Sequence, residues 1–265
     1  MAGPPMWVVE RSLARVFLFG ETVGLRDDDV WLTDEVRAAV EGGRELWREA
    51  DRDELQRSPL LAVHALSDER LSERLDDACR RRVHEVARSV RVDPATLEGL
   101  RPWAAGQVLE QAMRTAAGID GELGVDRVLT RLATAAGIPI ESELGDAAVT
   151  FAWFSGMDGE LELDYLMWTI ERVGDGPHEM DRQVASWKVG DLAVAEEQDT
   201  TMKRGHPRLY DRMVVERNRA WVPRIEAMLG ERGTVFVLVG GAHLVGDDSI
   251  LALLADVGLG ARRVT

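Results

Sequence analysis

Two apolar stretches, one near each end of the chain, finish at residues that could do chemistry. "FLFG" (17–20) runs directly into Glu21, and "VFVLVG" (235–240) is followed three residues later by His243. Ligands of α/β proteins bind where strands end at the carboxyl edge of the sheet, and a glycine at such an exit lets the backbone turn sharply. If the two strands are neighbours, a carboxylate and an imidazole meet there. That pair is suited to a metal site or to general acid–base catalysis.

The elements that would position these residues lie at the two ends of the chain. "MWVVE" (6–10) and "ARVFLFG" (14–20), separated by a short turn, predict a β-hairpin. "TVFVLVGG" (234–241) predicts a buried strand, and the helix and terminal strand "ARRVT" that follow it complete an α/β pattern.

The middle of the chain has a helical pattern. Residues 58–135 and 150–232 repeat apolar side chains at three- and four-residue steps, interrupted by a short strand pattern in "IPIESEL" (138–144). A second short strand is expected in "ELWREAD" (45–51).

These patterns together predict an α/β fold. Its central mixed sheet is built from the N- and C-terminal segments, in a single domain (1–265) with a large, mainly helical insertion at about 58–232.

Composition excludes several classes of function. A net charge of −15 disfavours nucleic acid as a partner, because phosphate contacts need a clustered basic surface. No run of apolar residues is long enough to span a membrane, and the single Cys79 leaves no intramolecular disulfide or multi-cysteine zinc site. The start of the chain has no secretory signal pattern, so a cytoplasmic location is expected. The pattern of apolar residues on the predicted helices does not determine the oligomeric state.

Five segments of the chain carry a family resemblance: "MWVVERSLARVFLFGET", "LRPWAAGQVL", "GVDRVL", "LYDRMVVERNRAWVPRIEAML" and "GTVFVLVGGAHLVGDDSILALLADVGLGARRV". They resemble the TraB/GumN family, which includes the TIKI-type metalloproteases and is related to the erythromycin-esterase-like and ChaN-like proteins. The resemblance covers essentially the whole chain. It implies the TIKI/erythromycin-esterase/ChaN-like form of the α/β fold.

The resemblance also implies two glycine-x-x-histidine motifs that help to hold a divalent metal and activate water. The second is intact at Gly240–His243, but in the first Val23 stands where the family has histidine. Glu21 matches the glycine–glutamate opening of the erythromycin-esterase-like and ChaN-like relatives. Glu49 aligns with a family glutamate at a strand end, so the implied catalytic residues are Glu21, Glu49 and His243.

The metal is the open question that Val23 raises. By resemblance, His243 and Glu21 would be metal ligands, with further carboxylates completing the set; Glu141 or Glu143 lies near another family glutamate. The candidate ions are Mn, Mg, Co and Zn, and a set with one histidine and several carboxylates favours Mn or Mg over Zn. The competing interpretation is metal-free acid–base chemistry by Glu21 and His243.

A third motif implied by the resemblance would bind substrate. Glu216, Arg217 and Asn218 are consecutive on a predicted helix, so they point in different directions and cannot all face one pocket. Arg217 or Asn218 would bind a carboxylate or carbonyl, with Glu216 in a supporting ion pair. Asp126 in "GVD" matches a family position and would help to shape the pocket.

Two functions from different classes follow. The first is a hydrolase that acts on a peptide, amide or ester bond of a small peptide or natural product, or a relative repurposed for a tailoring step such as cyclisation or elimination. The second is a catalytically degenerate member that binds a ligand or partner without turnover. Among the remaining histidines, His64 is expected in the core, and His178 or His206 could supply the missing imidazole.

Overall fold

A computed structural model of the chain describes residues 3–22, 24–119 and 121–265. These residues divide into two compact units. The first, called here the sheet unit, comprises Met1–Glu49, Asp120–Glu143 and Met180–Thr265. The second, the helical unit, comprises Ala50–Ile119 and Leu144–Glu179.

The sheet unit is built on one mixed β-sheet. Within the described residues its strands are β1 (Met6–Arg11), β2 (Ala14–Glu21), β3 (Glu45–Arg48), β4 (Ile140–Ser142), β5 (Gly233–Gly240) and β6 (Ala261–Arg263). They are ordered β4-β3-β5-β2-β1-β6. The neighbours β4, β3, β5 and β2 are parallel, whereas β1 is antiparallel to β2 and to β6. The predicted hairpin is confirmed, and the two ends of the chain supply most of the sheet.

Helices make up most of the remaining chain. In chain order they are α1 (Asp34–Glu41), α2 (Arg52–Arg57), α3 (Leu60–Ala65), α4 (Leu71–Arg74), α5 (Asp77–Ser89), α6 (Pro102–Ala116), α7 (Val125–Ala135), α8 (Ala147–Ser155), α9 (Gly159–Asp175), α10 (Pro177–Lys188), α11 (Ala193–Gly205), α12 (Pro207–Tyr210), α13 (Glu216–Met228) and α14 (Ile250–Asp256). Short 3₁₀ turns lie at Pro94–Leu97, Gly121–Leu123 and Gly241–Leu244, and a π-helical turn lies at Asp211–Val215. The expected α/β fold with a large helical middle segment is confirmed.

The sheet is covered on both faces. Alternate residues of each strand point to opposite faces. Helices α1 and α7, together with Trp187, pack against the face that carries Phe19 and Phe236. Helices α13 and α14 pack against the other face, which carries Leu18 and Val237. Both faces of the central strands are therefore apolar, which explains why β5 is an almost continuous run of valine, leucine and phenylalanine.

The helical unit contains partly buried ion pairs as well as apolar contacts. Glu110 on α6 pairs with Arg114 on the same helix and lies 3.6 Å from Arg172 on α9. Burial opposes the charge of this carboxylate, but Arg114 and Arg172 outweigh it and lower the pKa of Glu110 to about 2. His64 is half-buried, and its Nδ1 lies 2.8 Å from the Ser155 hydroxyl. It is hydrogen-bonded as expected, but it is not a core residue, and its neighbours Leu61 and Val63 in the same apolar run are exposed.

None of the helices in the part of the chain that the structure describes combines the length and the apolar character needed to cross a membrane.

A buried hydrogen bond near the end of β2 provides a test of the packing on the sheet face that carries Phe19. Trp187 Nε1 donates to the Gly20 carbonyl at 2.6 Å, and Trp31 packs beside Trp187 in the same core. Trp187→Phe should cost about 1–2 kcal/mol more unfolding free energy than Trp31→Phe, because both lose an indole but the first also loses a buried hydrogen bond. Urea denaturation of the two variants measures the difference. Equal losses would show that the bond contributes nothing to stability.

Candidate functional site

Four acidic or imidazole side chains follow the carboxyl ends of the four parallel strands. Glu143 follows β4, Glu49 follows β3, His243 follows β5, and Glu21 is the last residue of β2. All four belong to the sheet unit. This edge is where α/β sheets place their ligands, and three of the four side chains meet there around one arginine.

Glu49 lies at the centre of this group. Its Oε1 accepts the backbone N–H of Gly240 at 2.8 Å and lies 3.5 Å from His243 Nε2. Its Oε2 lies 3.3 Å from Arg217 Nη2. A Cβ on residue 240 would lie 3.3 Å from Glu49 Oε1, a tight contact, so a side chain at this position would push the Glu49 carboxylate by a few tenths of an ångström. With 27% of its side chain exposed, Glu49 is the member that solvent or a ligand meets first.

Arg217 is a buried cation held by two acids. Its Nε and Nη2 donate to the two oxygens of Glu143 at 2.9 and 2.5 Å, in the paired geometry typical of arginine and a carboxylate. Burial disfavours its charge, but Glu49 and Glu143 outweigh burial and raise the pKa of Arg217 above its ordinary value. The carboxylate that Arg217 grips is therefore the chain's own Glu143, and Arg217 also holds Glu49 in place.

Asn218 determines which nitrogen of His243 carries the proton. Asn218 Nδ2 donates to the Asp248 carbonyl at 2.8 Å, so its Oδ1 is the atom that faces His243 Nδ1, at 2.6 Å. An amide oxygen only accepts, so Nδ1 of His243 must be the donor. In the neutral ring this leaves the lone pair on Nε2, the nitrogen that faces Glu49.

His243 is neutral in this environment. Burial, and then the charge of Arg217, lower the pKa of His243 to about 3, although Glu49 acts in the opposite direction. With a pKa of about 3, His243 stays neutral at pH 7 and its Nε2 lone pair is a hydrogen-bond acceptor. It can therefore accept a hydrogen bond from a protonated group placed beside it.

Glu21 lies beside this cluster on the neighbouring strand. In the parallel register of β2 and β5 it pairs with Gly240, three residues before His243. Strand alternation places its side chain on the face of Phe19, which is covered by α1 and α7, whereas Arg217 and Asn218 come from α13 on the other face. The acid that contacts His243 in the structure is Glu49, and a catalytic role for Glu21 stays a prediction.

The other residues singled out from the sequence lie in several places. Glu216 is exposed and pairs with Arg212 at 2.8 Å, while its neighbours on α13 point inward. Asp126 is buried in the first turn of α7, close to Gly124. Val23 lies outside the described residues, so the missing histidine of the first motif has no structural account.

Three more residues had been named as alternatives. Of the two glutamates in "PIESEL", Glu141 is exposed and Glu143 is buried against Arg217. His178 is exposed, and His206 is buried where α11 meets α12. The charges that act on His243 come from Arg217 and Glu49.

The arrangement of these side chains does not fit a divalent metal. Among the residues that the structure describes, no group of three histidine, cysteine, aspartate or glutamate side chains is placed to hold one. Both oxygens of Glu143 are bonded to Arg217, and Glu49 bonds to Gly240 N and faces Arg217. A metal at this point would face the guanidinium charge directly. No step proposed below uses one.

Comparison of the sequence with known protein families assigns the chain to one family. Residues 5–263 match the TraB/PrgY/gumN family, so the chain belongs to that family. No curated protein and no solved structure matches it significantly.

Two participants in the site escaped the sequence analysis. The Asp248 carbonyl orients Asn218, and the Gly240 N–H binds Glu49. Both are backbone groups, which carry no signal of their own in a sequence. The glycine at position 240 was visible, but its specific role as a donor to Glu49 was not.

Acid should destabilise the protein through His243. Because burial and Arg217 depress the pKa of His243, the unfolded chain takes up a proton below about pH 6.5 that the folded chain refuses until about pH 3. The contribution is therefore complete above pH 6.5 and is lost as pH falls towards 3. Between pH 7 and 4 wild type should lose up to about 3 kcal/mol more unfolding free energy than His243→Gln.

Urea denaturation at several pH values measures this difference. His178→Gln, which removes an exposed imidazole, is the control and should follow wild type. Parallel pH profiles of wild type and His243→Gln would contradict a buried neutral His243.

The two ion pairs near the start of α13 should differ strongly in their contribution to stability. Glu143→Gln leaves the buried Arg217 charge short of a partner and should cost about 3–5 kcal/mol. Glu216→Gln breaks only the exposed pair with Arg212 and should cost less than about 1 kcal/mol. Chemical denaturation at pH 7 tests both variants. A small cost for Glu143→Gln would mean that Arg217 is solvated or held by other groups.

Proposed function

We propose that the protein is a hydrolase that cleaves a peptide, amide or ester bond. Two findings support the proposal: membership of the TraB/PrgY/gumN family, and the buried chain of contacts from Asn218 through His243 to Glu49. The observation that carries it is the orientation of His243, whose Nδ1 is committed to Asn218 and whose Nε2 faces a half-buried carboxylate.

The proposed chemistry is uptake of one proton by Glu49, with the neutral imidazole of His243 as the hydrogen-bond acceptor behind it. Glu49, the exposed member, takes the proton from a water molecule as the water oxygen adds to the substrate carbonyl. His243 Nε2 lies 3.5 Å behind it and accepts a hydrogen bond from the protonated carboxyl. The pair then returns the proton to the leaving nitrogen or oxygen as the bond to the carbonyl carbon breaks, so the water is consumed and the protein is restored.

The surrounding residues position this pair in the proposed mechanism. Asn218 holds the imidazole in the tautomer that leaves Nε2 able to accept. Arg217 and the Gly240 N–H hold the side chain of Glu49 near Nε2. In this scheme Arg217 acts on substrate only through Glu49, which differs from the direct substrate contact expected from the sequence. Glu21, at the end of the adjacent strand, is the candidate for a second acid.

The substrate proposed for this site is a small peptide or a natural product. A repurposed tailoring reaction, such as cyclisation or elimination, could use the same pair, because each moves a proton on or off a group next to a carbonyl. Glu216 is exposed and faces away with Arg212, so we assign it no contact with substrate. Asp126 keeps a proposed role in shaping the pocket.

A second candidate function is ligand binding without turnover. One observation favours it: the charged groups of the cluster bind one another, since Arg217 bonds to Glu143, and Glu49 bonds to Gly240 N. A self-satisfied network of this kind can persist as a structural remnant of a catalytic site. His243, Arg217 and Glu143 are also deeply buried, which limits direct access to substrate.

Substrate profiling of matched variants separates the two candidates. Purified wild type, Glu49→Gln, His243→Asn and Glu216→Gln are assayed on chromogenic esters and on a peptide library read by mass spectrometry. We expect kcat/KM to fall at least about 100-fold in Glu49→Gln and His243→Asn, because the proton acceptor or its partner is lost. Glu216→Gln should match wild type.

Other outcomes have direct consequences. Full activity in Glu49→Gln would contradict the proposed base, and Glu21→Gln then tests the other acid. Ligand binding by wild type with no turnover of any ester or peptide would favour the second candidate. Circular dichroism of each variant confirms that loss of activity does not come from loss of fold.

A further inference from the structure

The cation at the centre of the site belongs to the protein itself. Glu49 and Glu143 both contact the guanidinium of Arg217, and the imidazole of His243 contacts Glu49. We propose that Arg217 takes the place of a divalent metal, so that this site is metal-free because of one side chain. Removing the charge of Arg217 should convert the same residues into a metal site. The inference rests on the cluster used in the proposed function and deepens it.

The positions of the atoms support this substitution of charge. Arg217 Nη2 lies 2.5 Å from Glu143 Oε2 and 3.3 Å from Glu49 Oε2, so one atom of the guanidinium bridges the two acids. A metal ion that bridged two carboxylates would need the same position. Because Arg217 is 8% exposed and Glu143 is buried, the bridge is built into the protein and is not a surface contact.

The charges lead to the same conclusion. Two carboxylates and one guanidinium sum to a net charge of −1. The site tolerates this charge because Arg217 pairs with both acids. A divalent ion added beside the guanidinium would meet a positive charge at close range in a region of low dielectric. With a neutral residue at 217, the two carboxylates would instead present a charge of −2, which matches a divalent ion.

The tautomer of His243 supplies a third ligand. Asn218 fixes the proton on Nδ1, so Nε2 has a free lone pair and faces Glu49 Oε1. A histidine whose second nitrogen is hydrogen-bonded to the protein has the arrangement that metal-binding histidines adopt. Without the Arg217 charge, the chain therefore offers two carboxylates and one oriented imidazole, a set that suits Mn²⁺.

The test is Mn²⁺ binding by calorimetry, and by loss of the free-ion signal in electron paramagnetic resonance. Four proteins are compared: wild type, Arg217→Met, Arg217→Lys and the double variant Arg217→Met with Glu143→Gln. We expect Arg217→Met to bind Mn²⁺ at least about 100-fold more tightly than wild type. Arg217→Lys, which keeps the charge, should bind no better than wild type. The double variant, which lacks one ligand, should lose the gain.

Thermal melting keeps the inference testable if Arg217→Met folds poorly. Loss of the guanidinium leaves the buried Glu143 without its cation and destabilises that variant. Bound Mn²⁺ should restore it, so its melting temperature should rise with Mn²⁺ concentration while that of wild type does not. No rise, together with no Mn²⁺ binding, would overturn the inference. Wild type that is purified with one tightly held metal per chain would also overturn it.

The metal experiment is independent of the hydrolase assay. Wild type that hydrolyses none of the substrates, but shows this pattern of Mn²⁺ binding, would end the proposed function and leave the role of Arg217 intact. Hydrolase activity that is lost when a chelator is added would instead contradict the metal-free role of Arg217 and leave the proposed hydrolase function standing.

Discussion

The structure of the site depends on the charge balance around one buried arginine. Arg217 is enclosed by protein, and a lone cation there would be very unfavourable, so Glu143 and Glu49 must both approach it. Those two acids stand at the ends of adjacent strands, β4 and β3, while Arg217 comes from α13. One interaction therefore ties the sheet edge to the helix that covers it and fixes the position of Glu49.

The chemistry of His243 follows from the same constraint. Burial and the Arg217 charge keep the imidazole neutral, and Asn218, the next residue on α13, fixes its tautomer. A π-helical turn at Asp211–Val215 leads directly into α13, and such turns occur frequently at functional sites. Two consecutive residues of one helix thus hold two carboxylates and one imidazole, so the electrostatic and structural roles of α13 cannot be separated.

Much of the fold was predictable because its signals are local. The hairpin of β1 and β2 and the apolar strand β5 each follow from side-chain patterns within a short window. The site was predictable only in part. His243 at the exit of β5 was recognisable, and so was the rule that Glu216, Arg217 and Asn218 cannot all face one pocket. That Arg217 and Asn218 both point inward was not. The partner of His243 was not, since it depends on which strands are neighbours.

The sequence by itself determined the class of fold, the family and the residues that can move a proton. The tertiary structure decided which of them meet. Glu49 and Gly240 are 191 residues apart in the chain, yet they are hydrogen-bonded because β3 and β5 are adjacent parallel strands. Glu21 is on the other neighbour of β5, but strand alternation turns its side chain to the opposite face. Strand order and alternation are properties of the assembled sheet, so no short segment of sequence contains them.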